Sequence, residues 1–346
     1  MTAAGNAWQA IGFAGPAVLV TSLIVSWGLI ALLLPLFQRY TLALPNVRSS
    51  HANPTPQGGG IAVVAAALGV STVAIWSMPQ LGADAHAGLL LVILAALLLA
   101  VVGMADDIRE LGAVPKLVAQ AIGIVLVIAA FPSDMQVAPF LPAWLERVLL
   151  LIAGLWLINL VNFMDGIDWM MVAEIVPVTA GIAVIGALGT LPPEALIVAL
   201  ALNGAMLGFA PFNRPVARLF LGDMGSLPIG LLLVWLLYLV AGSGHLVAAI
   251  LLPLYFVTDA TITLLRRLRA GERVWQAHRT HFYQRARAGG MSTMTVVTRV
   301  FAVNCALAAL AAISVAMGAL VASIAALALG AALVAWLIFG FARGTP

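Results

Sequence analysis

Residues 87–107 read AGLLLVILAALLLAVVGMADD, an uncharged run of nineteen residues that stops on two adjacent carboxylates, Asp106 and Asp107. A helix that crosses the hydrocarbon core of a bilayer needs about 17–25 mostly apolar residues. Backbone N–H and C=O groups find no water there, so such a run is read as a spanning helix that satisfies its own hydrogen bonds. Working outward, ten more runs approach or reach that length. The eleven candidates are 15–37, 58–79, 87–105, 117–132, 148–163, 171–190, 195–211, 226–242, 246–265, 296–317 and 319–341. The fourth is short and the last two are separated by almost no turn, so ten is the alternative count. A membrane barrel would instead show alternating strands of about ten residues. The expected fold is all-α, a polytopic transmembrane helix bundle forming one domain over 1–346.

Composition agrees. Of 346 residues, 63% are hydrophobic and 8% charged, with mean hydropathy +1.12. Soluble domains carry about 25% charged residues, so ordinary globular folding is excluded. No low-complexity linker divides the chain. The run at 15–37 leads into further spans and is read as a span rather than a cleaved leader. The single cysteine, Cys305, excludes an intramolecular disulfide. Net charge +3 and a pI near 9.5 suit nucleic acid or anionic lipid. The charges lie in loops flanking the spans, which points away from nucleic acid.

Charge also sets sidedness. Fifteen of the sixteen Lys and Arg residues fall in or beside odd-numbered loops or at the C-terminus, leaving Arg147 alone on the other side. By the positive-inside rule the odd loops are cytoplasmic, the N-terminus is outside and the C-terminus inside. Asp106, Asp107, Asp165, Asp168 and Asp223 gather at cytoplasmic helix ends, and Asp259 lies in the inner half of its helix. Acidic residues contribute little to orientation, so this gathering asks for another cause.

Five loops carry the polar chemistry, within 38–57, 105–116, 163–171, 211–226 and 266–295. The first contains PNVRSSHANPTPQGGG at 45–60, where Arg48, Ser50 and His51 offer donors and three glycines let backbone N–H groups approach an anion. A flexible helix entry is the competing reading. The second, GMADDIRELGAVPK at 103–116, sets Asp106 beside Asp107, which repel unless a cation or a shared proton relieves them. Mg²⁺ is commonly held by one or two carboxylates plus substrate phosphates. Lys116 reads equally as a phosphate contact or a snorkelling side chain. In NLVNFMDGID at 159–168, Asn162, Asp165 and Asp168 recur every three residues on one helix face, an expensive stripe unless it binds something. In NRPVARLFLGDMGS at 213–226, Asp223 between glycines suits a metal ligand or a helix cap. The last loop holds HRTHFYQR at 278–285, where His278, His281 and Arg285 suit phosphate contact better than metal.

These five ordered motifs resemble the polyprenyl-phosphate N-acetylhexosamine-1-phosphate transferases (glycosyltransferase 4 family), relatives of phospho-N-acetylmuramoyl-pentapeptide transferase. The resemblance runs from about residue 45 to 285. It implies a Mg²⁺-dependent (or Mn²⁺-dependent) enzyme of the bacterial inner membrane, its active site facing the cytoplasm and a homodimer plausible by family. UDP-N-acetylhexosamine and polyprenyl (undecaprenyl) phosphate would give polyprenyl-diphospho-sugar and UMP. By the same resemblance Asp223 is the principal metal ligand, with Asp107 beside it and Asp106 near the acceptor phosphate. Lys116 touches phosphate, Asn162, Asp165 and Asp168 line the nucleotide site, and His278 and His281 contact diphosphate. Two departures stand out. Trp169 and Met170 occupy positions where relatives usually carry Gly and Leu, and Gln57 stands where a basic residue is common. The form of the last loop is closest to enzymes that initiate O-antigen or capsule units.

The expected chemistry is direct displacement. A phosphate monoester, with a second pKa of about 6, is already largely ionised and needs no strong base. Asp106 is expected to orient or deprotonate the acceptor, and a two-step route through an aspartyl intermediate is the alternative. The rival class is a secondary transporter with a carboxylate relay, for which Asp259, six residues after Pro253, is the one supporting feature. A catalytically impaired relative, prompted by Trp169, is the third reading.

Overall fold

Helices follow the apolar runs. The computed structural model describes residues 3–43, 54–132, 135–273 and 278–344, with side chains from residue 14 onward. The chain opens with α1 (Ala3–Tyr40), then β1 (Leu42–Ala43) pairs antiparallel with β2 (Thr55–Pro56). There follow α2 (Gly59–Trp76), α3 (Gly82–Ile108), α4 (Ala113–Ala129), α5 (Ala143–Met164), α6 (Met170–Ala187) and α7 (Pro193–Phe209). The second half comprises α8 (Asp223–Gly242), α9 (Leu246–Leu251), α10 (Leu254–Arg269), α11 (Phe282–Ala288), α12 (Thr293–Met317) and α13 (Leu320–Arg343). The architecture is an all-α membrane bundle.

Eight of these helices are long and apolar enough to cross a membrane. The sequence leads one to expect eleven spans. At the other three places stand α4 and α7, each 17 residues, and a helix broken in two. The break separates α9 from α10 at Leu252 and Pro253. Proline lacks the N–H that would continue the helix.

The axis of the bundle is α8. Every residue from Met224 to Ala241 is buried. A helix apolar on all sides has no face to offer water, and here it packs against α2, α3, α5 and α9. By contrast α1 and α13 leave most of their apolar surface outward, as lipid-facing helices do. Close approach relies on small residues, the usual device between membrane helices. A Cβ on Gly204 or Gly208 of α7 would lie 2.1 or 2.5 Å from the Leu19 or Leu23 carbonyl of α1. Along the same seam Ser22 and Ser26 donate to the carbonyls of Ala201 (2.6 Å) and Ala205 (2.8 Å). The same device brings α3 onto the first turn of α8, where a Cβ on Gly103 would meet the Asp223 carbonyl at 2.3 Å. That crossing places the aspartates.

Candidate active site

One helical turn beyond Gly103, the Asp107 carboxylate meets the start of α8. Its two oxygens accept from the backbone N–H groups of Asp223 (3.0 Å) and Met224 (3.1 Å), and the Gln57 side-chain amide donates to the first of them. The first N–H groups of a helix have no partner within it and attract negative charge, so Asp107 caps α8 from another helix. Gly222, at φ 80, turns the chain into that cap in a region costly for other residues. Asp223 is therefore held by its backbone, and its side chain takes no part in the cap. The Asp223 side chain lies beside that of Asp106, and Asn162 Nδ2 donates to Asp223 Oδ1 (2.8 Å) and to Ser226 Oγ (2.8 Å). Asp106 in turn accepts from Lys116 Nζ (2.7 Å) and from the Leu111 N–H (2.6 Å). Four segments of chain thus converge on one end of the bundle.

The loop between α5 and α6 supplies the rest. Asp168 is buried and accepts from the Ala217 N–H (3.0 Å), which ties this loop to the 211–222 segment. Asp165 is half-buried beside Asp107 and Asp168. Burial first, and those two negative charges second, raise its carboxyl to about 7. Trp169 caps α6 with φ 63, the one non-glycine residue at positive φ among the described residues. Its backbone N–H donates to Asn213 Oδ1 (2.8 Å) and its indole to the Ala210 carbonyl (2.6 Å). Glycine adopts this left-handed backbone without strain.

The histidine segment adjoins this loop from α11. His281 is buried, its Nδ1 3.3 Å from Asp259 Oδ1, and His278 Nδ1 lies 2.7 Å from Arg267 Nη1. The two imidazoles stack with centroids 4.8 Å apart. Tyr283 stacks on His281 and donates to the Phe163 carbonyl (3.3 Å), so the segment touches the end of α5, between Asn162 and Asp165. Burial, with the charges of Asp259 and Asp165, holds the Tyr283 phenol well above its usual range. Arg285 lies over the Phe282 ring at 5.9 Å. Asp259 accepts from the N–H groups of Phe282 (3.0 Å) and Tyr283 (3.3 Å) and from the hydroxyls of Tyr255 (3.2 Å) and Thr263 (3.4 Å). The one feature that suited a transporter is thus the cap of α11.

The expectation of an anion-binding backbone at the glycine run does not survive. The N–H groups of Gly58 and Gly59 donate to the Phe220 carbonyl (3.2 and 2.9 Å), and that of Gly60 to the Leu221 carbonyl (2.9 Å). The glycine run joins the first loop to the fourth. At α8 the first N–H groups are likewise occupied, by Asp107. Arg48, Ser50 and His51 lie outside the described residues.

Among the described residues, no three His, Cys, Asp or Glu side chains converge as a self-sufficient metal cluster. Asp106 and Asp223 nonetheless form a pair of neighbouring carboxylates, an arrangement that calls for a shared proton or a cation. Two carboxylates completed by substrate phosphates are an ordinary Mg²⁺ donor set, so the residues fit the ion.

The model for glycosyl transferase family 4 matches residues 89–241. A decaprenyl-phosphate N-acetylglucosaminephosphotransferase of Mycobacterium leprae is 28% identical over 295 residues, covering 75% of this chain and 73% of that protein. A probable undecaprenyl-phosphate N-acetylglucosaminyl 1-phosphate transferase of Bacillus subtilis is 25% identical, covering 82% of each. A phospho-N-acetylmuramoyl-pentapeptide-transferase of Lacticaseibacillus paracasei is 30% identical over 233 residues, covering 61% of this chain and 68% of that protein. Motifs, fold and relatives agree, and the chain belongs to glycosyl transferase family 4.

Proposed function

We propose that this protein transfers an N-acetylhexosamine-1-phosphate from a UDP-sugar to polyprenyl phosphate, giving polyprenyl-diphospho-sugar and UMP. The observation that carries the reading is the meeting of Asp106, Lys116, Asn162 and Asp223, from separate helices, at one end of a membrane bundle. A site at helix ends is where a water-soluble nucleotide and a lipid phosphate can reach each other. The relatives' names support both substrates.

Asp106 and Asp223 are the proposed holders of Mg²⁺ or Mn²⁺, which when bound neutralises diphosphate charge. Asp107 positions Asp223 rather than completing the ligand set. An oxygen of the lipid phosphate attacks the phosphorus that bears the sugar. The new P–O bond forms as the bond from that phosphorus to UMP breaks, and UMP leaves with the electron pair. Because the attacking oxygen is already ionised, positioning and charge neutralisation dominate. Lys116, already paired with Asp106, steadies phosphate. Asn162, Asp165 and Asp168 border the nucleotide, and His278, His281 and Arg285 approach the diphosphate, with Arg48, Ser50 and His51 completing that side. The basic loops support a reading in which the site faces the cytoplasm from a bacterial inner membrane with the N-terminus outside, and the family resemblance supports a homodimer. The form of the last loop favours initiation of an O-antigen or capsule glycan.

Purified protein should release UMP from a UDP-N-acetylhexosamine only when polyprenyl phosphate and a divalent cation are both present. Asp223→Asn should abolish release while melting like the wild type. Retained turnover in that variant, or UMP release without lipid, would overturn the proposal. Incubation with labelled UDP-sugar and no lipid should leave the protein unlabelled, since label on protein would mean a two-step route.

A further inference from the structure

Between α10 and α13 runs a groove of about 310 Å³. Its lining includes Thr258 and Ile262 of α10, Phe282 of α11, and Ala331, Phe339 and Ala342 of α13. Thr258 is the one polar residue in the lining, and its hydroxyl already donates to the Leu254 carbonyl (2.6 Å), so the walls offer no free donor. From Ala331 to Ala342 the groove follows α13 for about 17 Å, at 1.5 Å per residue. Half of a hydrocarbon core is about 15 Å, so the groove has the depth of one leaflet. At one end α11 lies across both helices. Its Phe282 meets Arg266 of α10, and a Cβ on Gly289 would lie 3.4 Å from Gly344, just past α13.

That end carries cations. The guanidinium carbons of Arg266 and Arg285 lie 5.4 and 5.9 Å from the centre of the Phe282 ring, and that of Arg343 lies 3.9 Å from the centre of the Phe339 ring. Arg285 and Arg343 are helical neighbours of their rings, so those two contacts form whether or not anything binds. Arg266 is different, because it reaches from α10 to a ring on α11. None of the three arginines has an ion pair among the described residues. Glu272, just past α10, is held by Arg267 (2.7 Å), and no carboxylate lines the groove. Membrane orientation asks only that arginines stand on one side of the bilayer. It does not ask that they gather on the two rings of an apolar groove.

We propose that this groove seats a phospholipid of net negative headgroup, one acyl chain between α10 and α13 and its phosphate between Arg266 and Arg343. The guanidinium groups donate charge-assisted hydrogen bonds to the phosphate, and Arg285 adds to the positive field. The lipid thereby ties α10 to α13 beneath α11. A zwitterionic headgroup brings an ammonium that three guanidinium groups repel and no carboxylate receives. The acceptor of the proposed reaction must bring its phosphate to Asp106 and Asp223, whose partners come from elsewhere: Lys116, Leu111 and Asn162. The side of α10 that holds His281, through Asp259, is likewise not the side that lines the groove.

The test is native mass spectrometry of the full chain released from nanodiscs of equal parts phosphatidylglycerol, phosphatidylethanolamine and phosphatidylcholine. Wild type should retain the glycerol lipid about tenfold over either zwitterionic lipid. The Arg266→Gln, Arg343→Gln double variant should lose that preference while melting like the wild type in detergent. Ala335→Trp keeps every arginine and fills the groove, so it should lose the retained lipid as well. Equal retention of the three lipids by the wild type overturns the proposal, and needs no variant to be read. An unchanged preference in the double variant also overturns it. Full retention by Ala335→Trp would mean that the arginines gather headgroups without a seated chain, and the groove would have no role. Displacement of the glycerol lipid by an equimolar amount of polyprenyl phosphate would assign the groove to the acceptor and overturn the phospholipid reading.

Discussion

Replacing Asp107 by asparagine separates an anchor from a metal ligand. The carboxylate holds the Asp223 N–H at 3.0 Å and the Met224 N–H at 3.1 Å, with the Gln57 amide as a third donor. Asparagine presents one carbonyl oxygen and one NH₂ group in the same volume, so one of the two helix N–H groups must face another donor. A buried N–H left without an acceptor costs about 1–3 kcal/mol. Removing negative charge from a helix N-terminus costs about 0.3–1 kcal/mol more. Asp107→Asn should therefore destabilise the protein by about 2–3 kcal/mol. Asp223 is the first residue of α8, and a displacement of about 1 Å at a reacting centre lowers turnover about a hundredfold. Thermal unfolding in one detergent, with UMP release measured on the same preparations, reads both effects. Asp223→Asn is the control, because it removes no acceptor from a backbone group and should melt like the wild type. An Asp107→Asn protein with wild-type melting and an altered cation requirement would refute the anchor and make Asp107 a ligand.

Trp169 gives a second expectation. Alanine there keeps φ 63 and loses the indole bond to Ala210, whereas glycine loses the same contacts and relieves the backbone. The glycine variant should be about 1 kcal/mol more stable than the alanine variant in thermal melts, the reverse of their helix propensities. Asp165 supplies a pH dependence. Its folded pKa of about 7 lies above the unfolded carboxylate value, so its stabilising contribution is present in acid and lost as pH rises through 7. Without divalent cation, Asp165→Asn should shrink the excess stability at pH 6 over pH 8 by at most about 1.4 kcal/mol. At Asp259, alanine would orphan two N–H groups and two hydroxyls around α11. Melting should fall by about 3 kcal/mol, with proteoliposomes showing no coupled proton flux in either protein.

The sequence made the bundle legible because length and apolarity of each run are local properties. The clustering of Lys and Arg by loop likewise assigned Asp106, Asp165 and Asp223 to one end of the bundle, where the structure brings them together. What escaped was the use of backbone donors. Nothing local says that Asp107 will cap a helix that begins 116 residues later, or that Asp259 will cap one 23 residues on. The glycines at 58–60 resembled an anion cradle because a sequence shows N–H groups without showing what satisfies them. Their acceptors, Phe220 and Leu221, are supplied by a distant loop. Pro253 was in plain view, yet the apolar run across it hid the break between α9 and α10. The departure at Trp169 was visible as a residue type, and only the backbone revealed a left-handed position that glycine fits without strain.

The fate of the two donor phosphates tests the central claim most directly. UDP-N-acetylglucosamine labelled with ³²P at the phosphate bearing the sugar should pass its label into the organic phase when polyprenyl phosphate and Mg²⁺ are present. The same donor labelled at the other phosphate should leave its label in water as UMP. Labels that partition together, or an organic label that forms without polyprenyl phosphate, would contradict transfer of a sugar-1-phosphate to the lipid.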